Sequence, residues 1–271
     1  MSDFAIGLPD KTRYDVIQHN SGMTRMVIQQ HKATTDHYDM RIQEGDKAHS
    51  WVVRRLPTES DKMLAIRQPT HRADYLDFEG AIEKGYGAGT VKKVYDKPVE
   101  LIESSENRIK MVLPEGEFTM INTTGDKDWL MVKNKHTIPN PVSTKIEMKD
   151  SSKKEIDFND QNKILQPKID GGHTIFRFKS DGPNRIYSYR ASAKTGLPIE
   201  HTHQIPTIRD APVPKELDGV EIRGEIYAKQ KKDGKPMSAS EIGGLLNSNV
   251  FDSRQKQAKN GALIPYMYKV V

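Results

Sequence analysis

The chain of 271 residues contains no cysteine. This absence excludes structural disulfides, thiol catalysis and zinc ribbons built on cysteine ligands. Long apolar runs are also missing: no stretch reaches the eighteen or so residues of a membrane span, and the N-terminus lacks the apolar core of a signal peptide. We therefore expect a soluble, cytoplasmic protein with no membrane partner.

A modest excess of positive charge is present instead. The formal net charge is +5 and the pI is about 9.1. This balance suits a polyanion such as nucleoid DNA and predicts salt-sensitive binding. Many basic proteins bind no nucleic acid, so the charge supports this partner without establishing it.

The first half of the chain is rich in short strand-like segments. They contain valine, isoleucine and aromatic residues and are bounded by Gly, Pro, Asp or Asn. Such close spacing predicts a mainly β first domain, a small closed or partly open β-barrel, in which Trp51 and Trp129 are core anchors rather than base-stacking residues. The predicted segments are 23–30, 49–56, 62–68, 89–96, 99–104, 108–114, 116–122 and 128–134.

A change in composition marks the predicted domain boundary. Residues 140–162 are polar, charged and poor in large apolar side chains, as in a linker. The expected organisation is an N-terminal arm (1–22), the barrel (23–139), this linker, and an α+β second domain (163–271).

Histidines and a carboxylate are concentrated in the segment QQHKATTDHYDMR. It contains His31, His37, Asp39 and Arg41, and His71 follows in THRADYLDFEG. Imidazole and carboxylate ligands suit a borderline divalent ion such as manganese or zinc. Residues 37, 39 and 41 would leave one face of a strand together. A half-buried strand shows the same alternation without a metal, so the pattern alone leaves both interpretations open.

Several longer blocks carry a family resemblance. In order and spacing they resemble the 3′-phosphoesterase domain of bacterial DNA ligase D, from about Met23 to Lys135. The blocks are MVIQQHKATTDHYDMRIQ, SWVVRRLP, LAIRQPTHRADYLDFEG, EKGYGAGTV and DWLMVKNK.

The resemblance implies both a metal site and a phosphate site. The implied ligands of a manganese ion (or of zinc or another divalent ion) are His31, Asp39 and His71. The implied phosphate-contacting and acid–base residues are His37, Arg41 and Tyr75. An arginine fork matches two phosphate oxygens, and a tyrosine hydroxyl adds a neutral hydrogen bond. Without the resemblance, Tyr75 would be read as a packed aromatic.

Two local features differ from a simple transfer of the family pattern. The glycines at 85–89 do not have P-loop spacing and are expected to form turns with positive φ. The segment 1–22 does not match the family's upstream segment, although Arg13 and Asp15 could replace its arginine and aspartate.

The second half contains the sequence Lys168-Ile169-Asp170-Gly171, a K-x-D-G motif. A second match at residues 231–234 lies in a lysine-rich stretch and is interpreted as a solvated Asp-Gly turn. With YSYRASAKTGLP, VEIRGEIY and IPYMYKVV, the first copy resembles the nucleotidyltransferase domain of ATP-dependent DNA ligases.

This second resemblance implies an ATP site. Lys168 would be the nucleophile that attacks the α-phosphate, with Arg190 as the arginine of the following block. Glu225 would contact the ribose, and Tyr266 or Tyr268 would stack on adenine. Two later family blocks do not appear, and Gln166 and His173 stand where the family has glutamate and arginine. We therefore expect weak or absent self-adenylation and a chain that is a piece of a larger ligase.

The sequence favours a two-module DNA-end-repair protein whose first domain is a manganese-dependent 3′-phosphoesterase. Its expected partners are DNA with 3′-ribonucleotide or 3′-phosphate ends and end-joining proteins such as a polymerase, Ku or the rest of the ligase. Two alternatives stay open. One is an ATP-dependent ligase fragment that forms a lysyl-adenylate, and the other is a non-catalytic DNA-end-binding scaffold.

Overall fold

The computed structural model describes residues 17, 22–85, 87–141, 159, 161–162, 168–228 and 234–270. Contacts group these into two compact units: the first ends at Lys135 and the second begins at His136, with residues 249–252 grouped with the first. Several predicted features lie outside the described residues: most of the N-terminal arm, including Arg13 and Asp15, Gln166, most of the 140–162 linker, and residues 231–233 of the second K-x-D-G match. The predicted domain boundaries therefore stay predictions.

The first unit is a closed antiparallel barrel of eight strands. Hydrogen-bonded pairing runs from strand to strand and returns to the start, because the first strand pairs with both its hairpin neighbour and a strand about seventy residues later. In order around the ring the strands are β1 (Gly22–Lys32), β2 (His37–Glu44), β3 (Lys47–Val53), β4 (Lys62–Arg72), β9 (Asp128–Lys133), β8 (Gly116–Asn122), β7 (Arg108–Leu113) and β6 (Gly89–Ser104). The prediction of a mainly β first domain is confirmed.

The strand β6 is longer than predicted. Segments 89–96 and 99–104 form one strand of 16 residues, although Pro98 lies between them. Proline lacks the N–H that a ladder needs, so it is tolerated where a strand has only one paired neighbour. Pro98 pairs with β1, and the pairing of β6 with β7 begins only at Glu100. A short strand that was not predicted, β5 (Gly80–Ile82), pairs with the beginning of β6.

Alternate side chains of the barrel strands fill its interior. Trp51 and Trp129 are 1% and 5% exposed, and their rings meet edge to face at 5.9 Å. Both tryptophans are core anchors, as predicted, and neither offers a face for base stacking.

The outer wall of β1–β3 is covered by a 3-10 turn at Ala73–Asp77, which we call the capping turn. Leu76 is its fully buried residue, and it packs on Val27 and Ala48, which point outward from the barrel. This small satellite core fixes the position of the capping turn on the wall beside the segment that carries the histidines.

The second unit is an α+β fold around a five-stranded antiparallel sheet. One face packs on helices and turns through residues such as Phe176, Ile226 and Ile242. The strand order is β12 (Pro198–Glu200), β11 (Arg185–Ala191), β10 (Gly172–Arg177), β13 (Glu221–Tyr227) and β14 (Ile264–Val270), with helices α1 (Pro206–Arg209), α2 (Ala239–Leu246) and α3 (Val250–Asn260).

Sequence signals explain where α2 begins and which side it buries. The Ser238 hydroxyl accepts a hydrogen bond from the Glu241 amide, and the Glu241 carboxylate accepts one from the Ser238 amide, which forms a capping box. Ile242, Leu245 and Leu246 then lie on the buried side. Among the described residues, no helix has the length and apolar character needed to cross a membrane.

Candidate metal centre

The histidine-rich segment forms a β-hairpin on the outer wall of the barrel. His37, Asp39 and Arg41 all lie on β2, and their shared parity places them on one face, as predicted. His31 lies on β1 directly opposite His37 in the register. Directly opposed residues of antiparallel strands share a face, so the direction of His31, which the sequence left uncertain, is settled by this pairing.

Three potential ligands converge there. One ligand atom from each of His31, His37 and Asp39 lies within 4.8 Å of the others. His31 Nδ1 is 3.5 Å from Asp39 Oδ2, and His37 Nε2 is 3.5 Å from Asp39 Oδ1. The two imidazole rings are 4.9 Å apart.

The remaining ring nitrogens show which atoms are available to a metal. His31 Nε2 donates to the Gly87 carbonyl at 2.9 Å, and His37 Nδ1 donates to the Thr35 carbonyl at 2.7 Å. Carbonyl oxygens only accept, so in each neutral ring the nitrogen facing Asp39 carries a lone pair. Lone pairs that face a carboxylate at this separation suit a cation between them, and backbone carbonyls that fix the tautomer are typical of metal-bound histidines. The residues present therefore fit a borderline divalent ion.

Asp39 stays ionised in this setting. Burial acts to raise its pKa, but the interaction with His37 and the charges of Arg41, His37 and His31 outweigh burial and hold the pKa at about 2. Asp39 in turn raises the pKa of His37. Arg41 Nη2 donates to Asp39 Oδ2 at 3.2 Å, so the cation and the carboxylate are a buried pair.

His71 and Tyr75 approach the same face from β4 and the capping turn. Burial, followed by the charge of Arg41, lowers the pKa of His71 to about 4, so its ring is neutral at neutral pH. Its Nδ1 lies 3.2 Å from Ser50 Oγ, and its ring centre is 5.2 Å from that of Tyr75. Arg41 stacks over the Tyr75 ring at 5.0 Å. His71 is not one of the tight group, by which we mean His31, His37 and Asp39. Its predicted role as a ligand stays a prediction.

Gln29 is a part of this site that the sequence did not single out. Its side chain is fully buried, and its Nε2 donates to the Tyr75 and Phe78 carbonyls at 3.0 and 2.7 Å. Its Oε1 accepts a hydrogen bond from Arg41 Nη1. One amide therefore joins the capping turn to the arginine of the site. The sequence signal for Gln29 was its polar side chain two positions before His31, which places both residues on the same face of β1.

The glycine segment 85–89 has a structural role. Gly85, Gly87 and Gly89 have the predicted positive φ values, 95°, 89° and 150°, and Gly89 is the first residue of β6 rather than part of a turn. The Gly87 carbonyl fixes the His31 tautomer. A Cβ on Gly89 would lie 2.1 Å from the Lys32 carbonyl oxygen, so only glycine allows this approach of β6 to β1.

The residues predicted for an ATP site meet at the sheet of the second unit. Glu225 on β13 pairs directly with Tyr266 on β14, and its carboxylate is hydrogen-bonded to Tyr268. Burial raises the pKa of Glu225, while Tyr268 and the exposed Lys168 act to lower it. Arg190 is exposed at the end of β11. These side chains are brought to one region, and their roles stay predictions.

His173 and Tyr189 are the aromatic residues of this sheet face that sequence reasoning did not pair. Their rings stack at 3.9 Å with an interplanar angle of 13°. Arg223 lies over the Tyr189 ring at 5.4 Å. The residue at the position of the family's arginine is therefore packed within the face.

Comparison with known proteins shows which family the first unit resembles. Residues 29–133 match the family model of the DNA Ligase D 3′-phosphoesterase domain. The multifunctional non-homologous end joining protein LigD of Pseudomonas aeruginosa is 40% identical over 75 residues, which cover 27% of this chain and 9% of that protein. Its counterpart in Mycobacterium bovis is 33% identical over 136 residues, covering 44% and 17%.

The matched segment is thus a small part of these relatives, and the family match includes the hairpin with His31, Asp39 and Arg41, the strand with His71, and the capping turn. The second unit lies outside the family match. Residues 29–133 are accordingly similar to the DNA ligase D 3′-phosphoesterase domain family.

Proposed function

We propose that the first unit is a divalent-metal-dependent 3′-phosphoesterase that acts on DNA ends. It would remove a terminal 3′-ribonucleoside, then the remaining 3′-phosphate, and leave a 3′-hydroxyl ready for ligation. The observation that carries the proposal is the pair of imidazole nitrogens directed at the Asp39 carboxylate beside the Arg41 guanidinium.

The proposal assigns the ion, manganese or another borderline divalent metal, to His31, Asp39 and His71. When bound, such an ion supplies Lewis acidity toward a phosphate oxygen and lowers the pKa of a bound water. His37 is the competing third ligand, because its Nε2 lies within the tight group. In the proposed assignment His37 instead contacts the phosphate or protonates the leaving oxygen.

Arg41 is suited to hold the phosphate. Each terminal nitrogen of a guanidinium has two N–H donors; one of Nη1 is used on Gln29 and one of Nη2 on Asp39, which leaves one donor on each. The two protein acceptors fix the plane of the fork, so its remaining donors are oriented before a substrate arrives. The Tyr75 hydroxyl would add a neutral hydrogen bond to the same phosphate.

The setting of DNA end joining is likewise part of the proposal. Its support is the domain family and the relatives described as non-homologous end joining proteins. The partners it implies are primer ends with a 3′-ribonucleotide or 3′-phosphate, and a polymerase, Ku or the remainder of a ligase.

The test is incubation of the protein with manganese and a 5′-labelled primer–template that ends in one ribonucleotide. We expect shorter products with a 3′-phosphate and then a 3′-hydroxyl. His31→Ala should abolish both steps, whereas Lys32→Ala, an exposed neighbour on the same strand, should retain them. Loss of activity in both variants would contradict the assigned site.

The non-catalytic alternative gives a different result. A DNA-end-binding scaffold would retain the labelled duplex in a binding assay but release no phosphate with manganese, zinc or magnesium. That outcome would exclude the phosphoesterase and favour the scaffold.

A second candidate function concerns the second unit. The convergence of Lys168, Glu225 and Tyr268 favours nucleotidyl transfer from ATP, with Arg190 and Tyr266 as further contacts. Incubation with ATP should then increase the intact mass by one AMP, and Lys168→Ala should prevent the increase. An unchanged mass in the parent protein would exclude the lysyl-adenylate and leave the first unit as the proposed enzyme.

A further inference from the structure

Four charged side chains on the outer wall form a salt-bridge cluster beside the capping turn. They are Arg25 on β1, Lys93 and Asp96 on β6, and Asp77 at the end of the capping turn. Arg25 donates to both oxygens of Asp96, at 2.7 Å each, and to both oxygens of Asp77, at 2.7 and 3.2 Å. Lys93 Nζ lies 3.2 Å from Asp77 and 3.0 Å from Asp96.

A β-bulge explains why Lys93 and Asp96 can both take part. Residues three apart on a regular strand point to opposite faces. Here Ile28 pairs with Tyr95 and Gln29 pairs with Lys93, so the register skips Val94. The extra residue reverses the alternation and directs both charges to the outer wall.

The cluster connects the capping turn to two strands at once. Asp77 is held by Arg25 from β1 and by Lys93 from β6. The Glu79 carboxylate also accepts a hydrogen bond from the Lys93 backbone amide at 2.7 Å. Hydrogen bonds to Asp96 and, next, to Asp77 raise the pKa of Arg25. In turn, the hydrogen bonds from Arg25 are the largest cause that lowers the pKa of Asp96 to about 2.

An isolated exposed ion pair contributes little, but bidentate arginine pairs that form a network are the exception. The capping turn is also attached through the Ala73 amide, which donates to the Asp46 carbonyl at 2.7 Å. Leu76 is its one fully buried residue, and the Gln29 amide binds the Tyr75 and Phe78 carbonyls. The salt bridges to Asp77 and the Gln29 amide therefore both hold the segment that carries Tyr75.

We propose that Arg25 and Lys93 are positioning residues of the first unit, which clamp the capping turn through Asp77 so that Tyr75 stays over Arg41. The inference rests on the proposed phosphoesterase function. Neither residue touches the reacting atoms; each acts through the position of Tyr75. A displacement of about 1 Å at a contact residue costs up to roughly 100-fold in rate, so a loosened turn has a measurable effect.

The first measurement does not depend on catalysis. In Arg25→Gln, amide hydrogen exchange at Phe78, whose N–H bonds to the Tyr75 carbonyl at 3.3 Å, should accelerate on the order of 10-fold. Exchange at Met120 in β8 should not change. Asp96→Asn, a change at an exposed carboxylate, should give the same pattern and serves as the second variant if Arg25→Gln folds poorly. Unchanged exchange at Phe78 in both variants would overturn the clamp.

The second measurement is the kinetic coupling to Tyr75. Arg25→Gln should lower kcat for a 3′-phosphate primer roughly 10-fold with little change in KM. The loss caused by Tyr75→Phe should become smaller in the Arg25→Gln background, because the turn no longer holds the ring in place. Additive effects, or faster exchange with unchanged kcat, would overturn the positioning role.

Arg72→Gln is the matched control. Arg72 adjoins the capping turn and forms an exposed pair with Asp74 at 3.1 Å, so its loss removes the same charge without releasing Asp77. It should leave kcat and Phe78 exchange unchanged. If the parent protein has no phosphoesterase activity, the proposed function fails, and the exchange measurement alone still decides whether the clamp holds the turn.

Discussion

The amide of Gln29 and the guanidinium of Arg41 are joined across β1 and β2 by a buried hydrogen bond. The same amide binds two carbonyls at the capping turn. The orientation of the arginine and the position of Tyr75 are therefore set by a single side chain that would not itself contact a phosphate.

Replacement of Gln29 tests this arrangement. Gln29→Leu removes the side-chain donor to the Tyr75 and Phe78 carbonyls and leaves a buried N–H of Arg41 without its partner, so the free energy of unfolding should fall by about 3 kcal/mol. Urea denaturation measures the change. Gln30→Leu on the same strand is the control, since Gln30 is only partly buried, and its effect should be much smaller. Equal losses in the two variants would contradict the proposed role of the buried amide.

The third metal ligand can be identified with a pair of histidine variants. If His71 holds the ion, His71→Ala should weaken manganese binding on the order of 100-fold, and His37→Ala should have a much smaller effect on binding while it lowers activity. Titration of the ion by calorimetry measures both. The reverse order of affinities would assign the third ligand to His37, whose Nε2 lies in the tight group.

Alanine substitution of two glycines with similar φ values distinguishes the cost of a steric contact from the cost of backbone strain. Gly80 and Gly89 have φ of 139° and 150°, but only at Gly89 would a Cβ meet other atoms, 2.1 Å from the Lys32 carbonyl. Gly80→Ala should lower the free energy of unfolding by about 1 to 2 kcal/mol through backbone strain. Gly89→Ala should cost roughly 2 kcal/mol more, because β1 and β6 must separate beside His31. Thermal and urea unfolding of both variants measures the difference.

We expect the buried imidazole of His201 to make the second unit sensitive to acid. Burial lowers its pKa from 6.5 to about 4, against a hydrogen bond to the Leu246 carbonyl. Between pH 6.5 and pH 4 the imidazole binds a proton more readily in the unfolded chain than in the folded one. The free energy of unfolding therefore has its full value above pH 6.5 and falls as the pH drops toward 4. The loss approaches about 3 kcal/mol.

Urea unfolding of the full chain at several pH values measures this dependence. His201→Gln retains a donor for the Leu246 carbonyl but does not titrate, so its unfolding should show a smaller decrease over the same interval. A variant with the full decrease of the parent protein would show that another group is responsible.

Much of the barrel was predictable, because its strands alternate apolar and polar residues and end at recognisable turn residues. The continuous strand β6 and the capping turn were not. Pro98 suggested a break, and only the partner strands show that one side of β6 is unpaired there. The capping turn depends on the burial of Leu76 against Val27 and Ala48, which are distant in sequence.

The site was predictable as a set of residues but not as an arrangement. Parity placed His37, Asp39 and Arg41 on one face, whereas the direction of His31 required its pairing with β2. The carbonyl partners that fix the histidine tautomers come from Thr35 and Gly87, and neither follows from a motif. The salt bridges at Asp77 depend on a bulge that is visible only in the pairing register.

The pairing of β1 with β6 has a consequence for how the chain folds. Residue Met26 in β1 pairs with Lys97, so the second side of β1 finds its partner only after about seventy further residues have been synthesised. Until then, β1 has its hairpin partner on one side and an open edge on the other, and Met26 and Ile28 lack part of their core. Such non-local closure makes folding slow, and an emerging chain carries an unpaired edge that can associate with other chains. The strand that bears His31 therefore gains its hairpin partner early and its second partner only much later.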